Sequence, residues 1–146
     1  GFMHFWQFEG GHYLKAGYQF DYEAAVGMNW KYLGNRFAAG FQLTDPWLDT
    51  GLRFRYDFDY HLRNYTHQNN YLPLNTRGDG RGEDWADIAP SVYRKDREQN
   101  HLFSLAKDLP NNLTLALEYL YAQNNSNIPV YGYNRNVISL SLSWRY

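Results

Sequence analysis

Leu52-Arg53-Phe54-Arg55-Tyr56-Asp57-Phe58-Asp59-Tyr60-His61-Leu62-Arg63 alternates without a break. The even positions are all apolar or aromatic, and the odd ones are Arg53, Arg55, Asp57, Asp59, His61 and Arg63. Successive side chains of a strand point to opposite faces, whereas a helix would smear both classes around its circumference. The stretch therefore predicts a strand with one greasy and one charged face. Its length is about twice the five or six residues usual in globular strands.

The same rhythm recurs on both sides. Leu14, Ala16, Tyr18, Phe20 and Tyr22 alternate with Lys15, Gly17, Gln19, Asp21 and Glu23. Val26, Met28, Trp30 and Tyr32 alternate with Gly27, Asn29 and Lys31, and Phe37, Ala39, Phe41 and Leu43 with Ala38, Gly40 and Gln42. Further on, Leu113, Leu115, Leu117, Tyr119 and Tyr121 oppose Thr114, Ala116 and Glu118. Ile138, Leu140, Leu142, Trp144 and Tyr146 oppose Val137, Ser139, Ser141, Ser143 and Arg145. Glu98–Lys107 and Phe2–Phe8 are less regular strands. Turn residues punctuate the runs at Glu9-Gly10-Gly11, Leu33-Gly34-Asn35, Asp45-Pro46 and Asp108–Asn112. Asn124–Asn134 reads as a longer polar loop, and the long connection runs from Asn64 to Arg97. No 3.6-residue period persists, so almost no helix is expected, and no fixed repeat suggests a propeller or solenoid.

The chain has 146 residues, enough for one domain spanning 1–146. Its 14 basic and 15 acidic side chains leave a net charge of −1, which argues against a nucleic-acid footprint. The absence of Cys excludes disulfides, thiolate zinc sites and a cysteine nucleophile. No apolar run approaches the roughly 20 residues of a membrane helix. The opening residues Gly1–Phe8 carry no basic n-region and no cleavage site. The expectation is a chain already processed, or an excerpt of a longer one.

A soluble β-sandwich or lipocalin-like barrel is one way to use such strands; a membrane barrel is the other. The strands match the 9–11 residues that a tilted membrane strand needs. Aromatics gather near strand ends, at Tyr13, Tyr22, Trp30, Tyr32, Trp47, Tyr65, Tyr121, Trp144 and Tyr146. Rings with an apolar body and a polar tip suit the membrane interface, with Tyr22, Trp30, Tyr32, Tyr121, Trp144 and Tyr146 as the interface candidates. If Tyr146 ends on the periplasmic side, both longest loops fall outside, as in outer-membrane barrels. The tight turn at Leu33–Asn35 breaks that trend once.

The terminal stretch Ser139-Leu140-Ser141-Leu142-Ser143-Trp144-Arg145-Tyr146 resembles the C-terminal assembly signal of bacterial outer-membrane β-barrel proteins. Ser141 stands where that signal often has Gly. Asp108–Tyr146 resembles the last hairpin of barrels that often follow periplasmic tetratricopeptide repeats, through Asn125-Ser126-Asn127-Ile128-Pro129 and Tyr131-Gly132-Tyr133-Asn134-Arg135. The resemblance implies an all-β, antiparallel up-and-down transmembrane barrel of about eight strands in the bacterial outer membrane, complete or the C-terminal part of a larger barrel. It also implies outer-membrane lipid and lipopolysaccharide, the barrel-assembly machinery and envelope partner subunits as partners.

In such a barrel Arg53, Arg55, Asp57, Asp59, His61, Arg63, Lys15 and Glu118 are the lumen-lining candidates. Arg53, Arg55 and Arg63 could form a ladder for an anionic solute. The plainer reading is a set of interior ion pairs with Asp57, Asp59, Glu118 and Lys15, since an isolated buried charge is costly. The loop Thr76–Asp84 contains Arg77-Gly78-Asp79 and several carboxylates, but its spacing does not match an EF-hand. Arg94, Lys95 and Arg97 could touch lipopolysaccharide phosphates. Five scattered His show no helical i, i+4 metal spacing. His101 and Ser104 lie an odd number apart, hence on opposite faces, and no nucleophile elbow or phosphate loop is present. No enzyme, metal or cofactor is expected. Two functions remain: a transport, export or pore role, or a closed small barrel serving as envelope anchor or surface interaction module. Strand closure separates them.

Overall fold

The computed structural model describes residues 1–45, 50–68 and 92–144. Among these residues seven strands form one sheet in chain order. They are β1 (Phe2–Gln7), β2 (Tyr13–Glu23), β3 (Tyr32–Thr44), β4 (Leu52–Gln68), β5 (Tyr93–Leu109), β6 (Leu113–Ser126) and β7 (Tyr133–Trp144). Every neighbouring pair is antiparallel. The expected all-β up-and-down arrangement is therefore present, with single 3₁₀ turns at Glu9–Gly11, Met28–Trp30 and Pro129–Tyr131. No helix among the described residues is long and apolar enough to cross a membrane.

Among the described residues there are seven strands rather than about eight, because one predicted run, Val26–Tyr32, is not a strand. Leu33-Gly34-Asn35 is not a turn; it lies inside β3, paired with Phe20 to Tyr22 on one side and with Leu62 to Asn64 on the other. Val26–Tyr32 is not a strand: the Trp30 amide donates to the Gly27 carbonyl at 3.0 Å and closes a turn there. The sheet is also not closed. Among the described residues β1 pairs with β2 alone and β7 with β6 alone. The connection expected over 64–97 contracts, since β4 continues to Gln68 and β5 begins at Tyr93. The Arg77-Gly78-Asp79 segment, Trp47 and Tyr146 lie outside the described residues.

With Leu33–Asn35 absorbed into β3, the connections sort cleanly by end. Residues 8–12, 45–51 and 110–112 join strands at one end; 24–31, 69–92 and 127–132 join them at the other. The two longest connections, 24–31 and 69–92, share one end, which will be called the loop end, while 45–51 at the other end is one residue longer than 127–132.

Register and alternation define the two faces. Phe41, Tyr56, Phe103 and Tyr119 lie on one face, with successive ring centroids 5.8, 4.9 and 6.2 Å apart. Among the described residues nothing covers this apolar face. Ile138, Leu140, Leu142 and Trp144 stand 74%, 72%, 63% and 65% exposed, and among the described residues the buried apolar ones are only Tyr65, Ala122 and Ile128. A single layer has no core of its own, and an uncovered apolar face of this extent is not stable against water.

Candidate functional site

The opposite face carries most of the charge. All eight lumen candidates lie on it: Lys15 on β2, the six odd residues from Arg53 to Arg63 on β4, and Glu118 on β6. The structure brings most of them into one network. Lys15 Nζ lies 2.6 Å from Asp57, and Arg55 Nε is 3.0 Å from the same carboxylate. Arg55 also reaches Glu118 at 3.8 Å. Arg36 bonds Asp59 at 2.6 Å, and His61 Nε2 sits 3.0 Å from Asp21. Arg63 pairs with Glu98 and lies 3.9 Å from Asp96. Arg53 makes a two-point contact with Asp108, which also accepts the Thr114 hydroxyl at 2.8 Å. Apart from Arg63–Asp96, whose carboxylate is buried, these pairs are partly open to solvent and individually worth about 0–1 kcal/mol. Together they neutralise the face, so no arginine of β4 is left as a bare anion ladder.

Three of these bridges cross a strand: Arg55–Glu118 passes over Ser104 of β5, and glycine makes the other two crossings possible. Lys15 on β2 and Asp57 on β4 both lie opposite Gly40 of β3. A Cβ on Gly40 would sit 2.5 Å from Asp57 Oδ1 and 2.8 Å from Lys15 Cε. Gly34 serves the His61–Asp21 contact the same way, with His61 Nε2 only 2.8 Å from where its Cβ would be. Glycine inside a strand marks such close approach. Gly40→Val should therefore break the Lys15–Asp57 bridge and cost about 1–3 kcal/mol through overpacking. Denaturant unfolding of the full protein in detergent micelles would read it, and a cost near zero would show that the side chains simply step aside.

At the loop end the same face closes over a buried cation. Arg94 and Asp96 are 6% and 1% exposed, and Arg94 Nη2 bonds Asp96 at 2.5 Å. The guanidinium carbon lies 3.5 Å from the ring centre of Tyr131, 4.3 Å from Tyr65 and 5.7 Å from Trp30. Tyr65 donates to Asp96 at 3.2 Å. Asn124 donates to the Tyr131 carbonyl at 2.7 Å, and Asn127 clasps Tyr93 and Lys95. Cation–π contact with rings from three segments thus fastens 24–31 and 127–132 to the ends of β4 and β5. Sequence reasoning missed Asp96, Asn124 and Tyr131 as partners. The even-numbered parity of Glu98 and Asn100, carried backward, would have placed Arg94 and Asp96 on the charged face.

The interface candidates divide. Tyr22 and Trp144 are exposed on the apolar face, and Tyr121 shares that face with His101, ring centroids 5.9 Å apart. Tyr32 lies on the charged face instead, 5.5 Å from Tyr65 and 5.8 Å from His61, because it belongs to the Gly34–Arg36 parity of β3. Trp30 belongs to the Arg94 cluster. His101 bonds Tyr56 on the apolar face at 2.8 Å while Ser104 stands opposite Arg55 and Glu118, so the two cannot act together. No group of three metal-ligating side chains occurs among the described residues.

The opposite end is held by Asp45, which adopts a positive φ of 47°. Its carboxylate accepts the Thr50 amide at 2.7 Å and the Leu52 amide at 3.0 Å. Desolvation works to raise its pKa, but the backbone donors of Leu52, Thr50 and Gly51 outweigh it and hold the pKa below the ordinary value. A depressed folded value means a contribution present above the unfolded carboxylate range, near pH 4, and lost as pH falls through the folded value. Protection of the Thr50 and Leu52 amides, corrected for intrinsic exchange, should therefore fall on acidification. Asp45→Asn should flatten that dependence; an unchanged acid response would point to another group.

No match to the chain was found among curated proteins or among solved structures. Over residues 4–146 the chain matches the surface lipoprotein assembly modifier family, and this bacterial envelope protein belongs to that family.

Proposed function

We propose that this chain is part of the wall of an outer-membrane β-barrel that acts in the assembly of lipoproteins at the bacterial surface. Its apolar face meets lipid, and Lys15, Arg53 to Arg63 and Glu118 line the interior. The observation that carries this reading is the sorting of the sheet. Every acidic residue of the paired strands is on one face and an uncovered apolar surface is on the other. The family match supports the lipoprotein role. An open edge cannot face lipid, so β1 and β7 need further strands to complete the barrel.

Internal neutralisation favours an interaction module over a selective solute pore, because a ladder for anions would leave its arginines available. The role is one of binding and assembly, without chemistry on the lipoprotein. A second reading, passage of the lipoprotein through the barrel, is favoured by the open edges. If two or more further strands complete it, the barrel exceeds the roughly eight strands whose interior side chains alone can fill.

The test is lipoprotein display on intact cells, read by antibody staining at equal total lipoprotein. Cells lacking the protein should display severalfold less than complemented cells, and equal display would sink the proposal. A photo-crosslinker placed at Ser139, on the charged face, separates the two readings. Capture of lipoprotein there supports passage, while capture confined to the loop end supports docking.

A further inference from the structure

The apolar face carries no acidic residue in any paired register from Phe2 to Trp144. Its formal charges are three cations, of which Lys107 lies near the 110–112 turn and Lys95 and Arg97 lie near the loop end. Lys95 and Arg97 are both exposed, and no acidic group pairs with either among the described residues. They are two residues apart on β5, so their side chains leave the same face about 6.7 Å apart. Toward the turn end the same face continues through Gln99 and His101 to Phe103 and Leu105, from polar to aromatic to aliphatic.

The backbone beneath them is fixed. The Lys95 amide donates to Asn127 Oδ1 at 2.7 Å, and the Lys95 carbonyl accepts the Asn127 amide at 3.2 Å. Arg97 is paired on both sides, with Leu62 of β4 and Asn125 of β6. Amide side chains at Asn64, Gln99, Gln123 and Asn125 surround the pair on that face. Two unpaired cations on a rigid strand, set just above an aromatic and aliphatic band, have the charge and position to meet a phosphorylated headgroup whose acyl chains lie along that band.

We propose that Lys95 and Arg97 form a docking site for the phosphates of an anionic outer-leaflet lipid of the lipid A type, held against the outside of β4–β6. This rests on the reading that the apolar face meets lipid.

The experiment uses the full-length protein in phosphatidylcholine nanodiscs. Native mass spectrometry would measure retention of diphosphoryl lipid A and of its dephosphorylated form. Wild-type protein should retain the diphosphoryl form preferentially. The double variant Lys95→Gln/Arg97→Gln should bind it roughly thirtyfold more weakly, each cation near an anionic surface contributing about fivefold. Lys95→Arg/Arg97→Lys, which keeps both charges, should retain it. Equal retention by wild type and the glutamine variant, or no preference for the phosphorylated form, overturns the proposal. A spin label at Leu105→Cys, on the same strand and face, identifies which reading has failed. Oxygen accessibility with retention unchanged removes only the headgroup site, whereas nickel-chelate accessibility removes the lipid-facing assignment itself.

Discussion

Phe58→Arg is expected to cost about 2–4 kcal/mol when the protein is folded in a bilayer, the penalty for a charge at the midplane of a lipid-facing barrel surface. Phe58 lies near the middle of β4 on the uncovered face, beside His101 at a ring distance of 5.0 Å, with no acidic group among the described residues of that face to meet the guanidinium. The internal control is a pair of neighbours on β7. Leu140 stands opposite Leu117 on the apolar face, and Ser139 stands opposite Glu118 on the charged one. Leu140→Lys should therefore behave like Phe58→Arg, while Ser139→Lys should be near neutral because Glu118 can take the ammonium. Reversible urea unfolding in lipid vesicles reads all three. If the costs at 139 and 140 come out equal, the two faces do not see different solvents and the membrane placement fails.

The faces themselves were legible in the sequence because the side-chain period of a strand is two, and Leu52–Arg63 keeps it over its whole length. What misled was the meaning of a glycine. Gly34, flanked by Leu33 and Asn35, carries the composition of a turn, yet it sits mid-strand because His61 reaches Asp21 across it. That reason is non-local and leaves no trace in the neighbouring residues. Val26–Tyr32 showed the opposite failure. Its alternation has the right period but too little length to outweigh Gly27, and Trp30 gains more by closing over Arg94 than by continuing a strand. Tyr32 shares the alternation of that segment in the sequence but follows the register of β3, which places it on the charged face. Pairing within the charged stripe was foreseeable from the mixture of signs. The glycine crossings were not, since they require knowing that β2 and β4 flank β3. The lipoprotein connection has no counterpart in period or spacing, and it came from the family match alone.

The buried pair at the loop end should give the other large effect. Asp96→Ala would leave the Arg94 guanidinium enclosed by Trp30, Tyr65 and Tyr131 without its carboxylate, and breaking a buried pair by removing one partner typically costs about 3–5 kcal/mol. The rings compensate in part, because cation–π contacts contribute up to about 2 kcal/mol when desolvated. The loss should therefore lie toward the low end of that range. Arg94→Met should cost less than Asp96→Ala if the rings accept the thioether, since Asp96 keeps Tyr65 as a donor and has Arg63 3.9 Å away. The double variant Arg94→Met/Asp96→Ala should then be more stable than Asp96→Ala alone, because no unpaired charge stays enclosed. Unfolding of the four proteins in lipid closes the cycle. Simple additivity of the two single costs would mean that Arg94 and Asp96 stabilise the loop end independently, through packing on the rings and through Tyr65, rather than as an ion pair.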